Sequence, residues 1–307
     1  MTSARLAFRL QRASVGFAAV VCLGLTALAA WLTLSLPSAL AECASPTALH
    51  DCGVVSLFGS PLGDPALLSS LGIGVAMYAV PLVLGVPVLA TEIERRTAMI
   101  AWPLAGSRLR WLVWRAGSVL VIGLVLVGVM AVGAEALTRA NHPQGDMGFA
   151  SHGARGISMV LRSMLVLVMA MAVGAMVGRL LPSLLIGIAL AVGFSMAVDL
   201  LPPYGVEQTE LTAAETNSGN PFTTGHAYRA PDGRPIDEDE ANAISQAAFA
   251  AYSPELPPDS MLPYGVSYGI AGSRYVEVLA RELAVLVGAT VVASGLAAIL
   301  VSRRRPE

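Results

Sequence analysis

The chain has 307 residues, 55% of them hydrophobic and only 13% charged, with a formal net charge of −2. Soluble domains carry roughly 25% charged residues, and here the apolar residues gather into runs of about twenty, the length of a helix that crosses a bilayer. A balance this close to neutral, with no basic stripe, excludes nucleic acid as a partner, and because all 19 basic residues are arginine no lysine-dependent phosphate loop of the Walker A type can form.

Residues 1–13 place Arg5, Arg9 and Arg12 among Leu6, Phe8 and Leu10, the pattern of a basic amphipathic helix lying on the inner leaflet. The first span follows from about Ser14 to Leu36, with Pro37 predicted to end it. Its apolar stretch exceeds the roughly 7–15 residues of a signal-peptide core, so it reads as a retained helix. Cys43 and Cys52 lie in the polar segment beyond it, where an oxidising exterior favours a disulfide staple. The alternative is a metal pair with His50 nearby, but no metal site is expected. The second span, about Ala66 to Ala90, contains Pro81 and Pro87. A short charged helix over about 92–102 follows it, stopped by Pro103, which lacks a donor. The third span covers about Ala116 to Leu137, the fourth Ile157 to Gly178, the fifth Ser183 to Leu201 and the sixth Glu282 to Val301.

The predicted fold is an all-α integral membrane protein with six transmembrane helices and a large loop between the last two. Its stretches are 1–13, an interfacial helix; 14–201, spans one to five; 202–275, an acidic extracellular loop; and 276–307, the last span with a basic tail. In the loop, Asp237, Glu238, Asp239 and Glu240 open a predicted short helix through Tyr252, since acids suit a helix N-terminus. Pro-Tyr-Gly-Val occurs at both its ends, at Pro203 to Val206 and at Pro263 to Val266, marking two similar turns. With both termini inside, twelve arginines fall on inner segments and five on outer ones, a positive-inside bias.

Ionisable residues within spans are functional candidates by default. Glu135, Arg162 and Asp199 are the candidates for lining a pathway. Glu135 is expected to pair with Arg162 across the short loop between spans three and four. Glu277, Arg281 and Glu282 sit near outer ends, where they and a snorkelling Arg162 are expected to reach water. No acid or histidine is placed at mid-membrane, which argues against a proton-coupled secondary transporter. The four histidines, His50, His142, His152 and His226, fall in outer loops without ligand spacing, although His142 and His152 flank Asp146. No catalytic motif is present, so neither enzyme activity nor a cofactor is expected of this chain.

The segment after span two carries Glu92, Glu94, Arg95, Arg96 and Thr97, then Pro103, Ser107 and Arg108. In this order it resembles the ABC-2 family of ABC transporter permeases, with Arg96 standing where that family usually has glycine. The layout of six spans with a large excursion before the last resembles it too. The resemblance implies a bacterial cell-membrane exporter subunit whose coupling helix, about 92–102, inserts into a separate cytoplasmic ATPase that binds ATP and Mg. Glu92, Glu94, Arg95 and Arg96 would contact that ATPase, and Arg108 and Arg110 would hold the approach to span three. A second permease chain, identical or related, would complete the pathway for an amphipathic cargo. The rival reading is a non-transporting membrane scaffold or regulatory subunit.

Overall fold

The computed structural model describes residues 11–43, 63–95, 108–142, 147–200, 205–212, 215–216, 220–252 and 258–303. Its helices are α1 (Arg12–Cys43), α2 (Gly63–Glu94), α3 (Arg108–Asn141), α4 (Gly156–Val177), α5 (Leu180–Leu200), α6 (Glu238–Tyr252) and α7 (Tyr275–Arg303). All except α6 are long and apolar enough to cross a membrane. The protein is therefore a multi-pass membrane protein.

Helices α3 and α7 begin before the spans expected from Ala116 and Glu282, and at two other helix ends the local chemistry of proline accounts for the difference. Helix α1 continues past Pro37 to Cys43. A proline forfeits one backbone bond, and apolar helices in membranes tolerate that loss. Helix α5 starts at Leu180 rather than Ser183. Pro182 then falls in the first turn, where amides have no intrahelical acceptor and proline loses nothing. Just before it, Gly178 takes φ 69° and donates its N–H to Gly174 O at 3.0 Å, closing α4. Thr91 to Glu94 complete the last turn of α2, and the rest of the charged segment expected as a helix over about 92–102 lies outside the described residues from 96 on.

Pro81 and Pro87 lie inside α2. Pro81 cannot donate to the carbonyl of Met77 four residues earlier. That oxygen instead accepts the buried Ser163 hydroxyl of α4 at 2.8 Å. Ser163→Ala would orphan the carbonyl, and we expect a loss of about 1–2 kcal/mol, within the range for interhelical bonds in membranes. Unfolding of the purified protein in mixed micelles checks this, and an unchanged midpoint would mean another donor takes the site.

The chain divides into two compact units, one of residues 1–143, 151–200 and 281–307 and one of 144–150 and 201–280. In the first, α2 and α4 form the centre. A Cβ on Gly85 would lie 2.7 Å from Leu167 O, and one on Gly174 would lie 2.9 Å from Val86 O. Small residues let backbones approach this closely where no hydrophobic force drives helices together. Leu84, Val88 and Leu89 of α2 and Met159 and Leu167 of α4 are fully buried between their neighbours. The last span is the least covered: 17% of its apolar window is buried, against 67% for α2.

The second unit corrects the all-α expectation. It holds a four-stranded antiparallel sheet in the order β1-β4-β2-β3, formed by Thr209–Leu211, Phe222–Arg229, Pro235–Ile236 and Tyr264–Ile270. The second Pro-Tyr-Gly-Val is thus the start of β4, and not only a turn. Tyr264, Val266, Tyr268 and Ile270 alternate at the strand period of two. Gly265 and Gly269 between them dilute the signal, yet Gly269 is where Phe222 O of β2 leaves no room for a side chain. Phe149, Val206, Ile270 and Val278 form the core of this unit, with Phe149 edge-on to Tyr275 at 5.4 Å. Helix α6 forms where the acidic run predicted it, with Asp237 Oδ1 accepting the Glu240 N–H at 2.7 Å as an N-cap.

Candidate functional site

Two polar junctions stand out in the helical unit, at opposite ends of its spans. The first is at the end of α2. Glu92 Oε1 accepts Arg115 Nη2 of α3 at 2.9 Å, with both side chains largely buried. Two residues on, Glu94 Oε2 accepts the N–H of Leu180 at 2.9 Å. Leu180 opens α5, and a helix start offers unpaired amides and a partial positive charge, so a carboxylate there is doubly favoured. The last turn of α2 is thereby tied to two other spans at once.

Of the residues expected to meet an ATPase, Glu92 and Glu94 thus have partners within this chain. Arg95 is exposed just after the helix. Arg96, Thr97, Pro103 and Ser107 lie outside the described residues, as does most of the predicted coupling helix, and Arg108 is the first residue of α3. Arg115 and Leu180 were missed as partners. Arg115 is one of the twelve arginines assigned to inner segments by charge bias, and a backbone amide leaves no mark in a sequence.

The second junction joins α4 and α7. Glu282 is fully buried. Its Oε1 accepts Arg162 Nε at 2.7 Å, Arg162 Nη2 at 2.7 Å and the Ser158 hydroxyl at 2.7 Å. His152 Nε2 stands 3.3 Å from Oε2. Gly153, at φ 78°, packs on the Arg162 guanidinium so closely that a Cβ there would overlap it. Beside this cluster, Glu135 of α3 pairs with Arg155 at 3.2 Å and with Arg139 at 3.5 Å.

Two expectations are corrected here. Glu135 does not pair with Arg162, because Arg162 sits six residues into α4 and its partner arrives from α7, 120 residues away. Nor do Arg162 and Glu282 reach water, being 3% and 0% exposed. Burial of this kind is affordable only when each charge meets its counter-charge and its remaining donors are bonded. Asp199 lies in the last turn of α5. Cys52, and with it the Cys43–Cys52 pairing, falls outside the described residues. His142 is half-buried, and burial, followed by the nearby Arg155 charge, holds its pKa below the ordinary 6.5. His226 Nδ1 lies 3.2 Å from the Ser267 hydroxyl across the β2–β4 pair.

Chemically, both junctions hold helices together: each is an ion pair or cap joining spans that are distant in sequence. The family model described as ABC-2 membrane transporter related matches residues 15–201, which take in nearly all of α1 and the whole of α2 to α5. No curated protein and no solved structure matches the chain.

Proposed function

Because the chain belongs to the ABC-2 membrane transporter related family over residues 15–201, we propose that it is the membrane permease subunit of an ABC exporter. Its energy comes from a separate cytoplasmic ATPase that binds ATP and Mg, since a chain without lysine cannot build the phosphate-binding loop itself. The arginine bias supports both termini cytoplasmic and the 202–275 region outside, and the family resemblance points to a bacterial cell membrane. A second permease chain, identical or related, completes the pathway, and the long apolar spans suit an amphipathic cargo.

The observation that carries this reading is the junction at the end of α2. Glu92 holds Arg115, and Glu94 holds the start of α5. A push delivered by an ATPase to the segment following Glu94 would be shared at once by α2, α3 and α5. Coupling requires such a link, because a force spent bending one helix end moves nothing else.

The test is a mild-detergent pull-down of the native chain from its own cell, with ATP hydrolysis assayed in the eluate. We expect a retained ATPase whose cargo-stimulated rate falls when Glu94 becomes Ala. Loss of the cap costs about 1 kcal/mol locally, and the coupled rate should fall by roughly tenfold or more while the ATPase remains bound. Glu92→Arg with Glu94→Arg should release the ATPase altogether. If no ATPase is retained while other membrane proteins are, the chain is a scaffold or regulatory subunit.

A further inference from the structure

We propose that the Glu282–Arg162 pair is a latch that docks the sixth span on the fourth, and that these two helices separate only by breaking it. Leu286, Ala297 and Val301 of the sixth span are buried, but much of its apolar surface is uncovered. Val285, Val287, Val291, Val292, Leu296 and Ile299 are all exposed along α7. Against that background Glu282 is fully buried, seven residues past Tyr275 and so about 10 Å along the helix. Three donors from α4 converge on its Oε1.

Two details make the device all-or-none rather than graded. Gly153 lies against the guanidinium and restricts where Arg162 can go. In an apolar surrounding, a half-separated carboxylate and guanidinium lose their attraction before water can replace it, so intermediate separations are strongly disfavoured. The remaining oxygen, Oε2, has no hydrogen-bond partner among the described residues, and His152 Nε2 is the polar group beside it. The carboxylate is therefore held mainly through Oε1. In the exporter reading, on which only its role rests, the latch closes this end of the spans until the ATPase stroke opens it.

The experiment is amide hydrogen exchange of the full chain in lipid nanodiscs, following residues 282–290 of α7. It needs neither ATPase nor cargo, so its failure and that of the exporter reading are distinguishable. Arg162→Gln and Glu282→Gln are each expected to speed exchange in that stretch by about tenfold or more, with α2 unchanged. The charge-exchanged double variant, Arg162→Glu with Glu282→Arg, should return to within about threefold of the native rate. Native exchange in the single variants, or no recovery in the double, overturns the latch. If the single variants do not accumulate as folded protein, recovery of folded protein in the double supports it and continued loss overturns it.

Discussion

Gly153→Ala is expected to destabilise the helical unit by about 3–5 kcal/mol, although it alters no charged residue, because it evicts Arg162 from Glu282. Two costs combine. The backbone at Gly153 has φ 78°, in the left-handed region where an L side chain costs roughly 1–2 kcal/mol. The new methyl would also overlap the Arg162 guanidinium. A flexible side-chain end usually yields cheaply, but this one is committed to two bonds with a buried carboxylate. Moving it removes one partner of a buried pair, which carries most of the effect. Gly156→Ala is the control. It has φ 55°, but its added Cβ meets only Glu135 Oε2, at 3.4 Å. It should therefore show the backbone cost alone. Thermal unfolding in lipid nanodiscs measures both, and equal losses would show that Arg162 yields without leaving Glu282.

Gly85→Ala should cost about 3 kcal/mol by forcing α2 and α4 apart. Its Cβ would stand 2.7 Å from Leu167 O and 2.8 Å from the Ala170 Cβ, and neither can rotate away. Alanine favours a helix over glycine by roughly 1 kcal/mol, which offsets only part of the overlap. Gly72→Ala makes the comparison. Its Cβ would lie 2.8 Å from Leu25 Cδ2, the swinging end of a leucine. There the propensity gain should balance or exceed the packing cost, leaving stability within about 0.5 kcal/mol of native. Denaturant titration of both proteins in the same micelle decides it. Similar midpoints would mean that the α2–α4 contact relaxes as easily as a side chain turns.

The six spans were legible because each is a local run whose apolar length suffices to identify it, and the α6 start was legible because Asp237 and the acids after it cap their own helix. What escaped were features fixed by partners far away. Pro81 interrupts the second span in the sequence, and only the structure shows Ser163 of α4 occupying the carbonyl that it frees. Glu282 reads as a water-facing residue near a helix end until Arg162 arrives from 120 residues upstream. Glu135 and Arg162 were matched because they are near in sequence, but the helical turns between Arg155 and Arg162 carry them to different carboxylates. The sheet was missed for a local reason: glycine at every fourth position of β4 weakens a signal that tyrosine, valine and isoleucine otherwise give. In the charged segment, the glutamates were legible as important residues, but their attachment to Arg115 and to the first amide of α5 was not.

The smaller unit is stitched from two stretches, and this dictates an order of manufacture. Phe149 belongs to the same core as Ile270 and Val278, and the Phe149 amide donates to Asn220 O at 2.8 Å. Between the two stretches lie α4 and α5, both of which are synthesised before the strands. During synthesis, the aromatic ring of Phe149 therefore waits uncovered while the chain passes through the bilayer twice more. It is enclosed only when β4 and the start of the last helix emerge. A ribosome stalled before Tyr264 would leave that unit without β4, one of its two central strands.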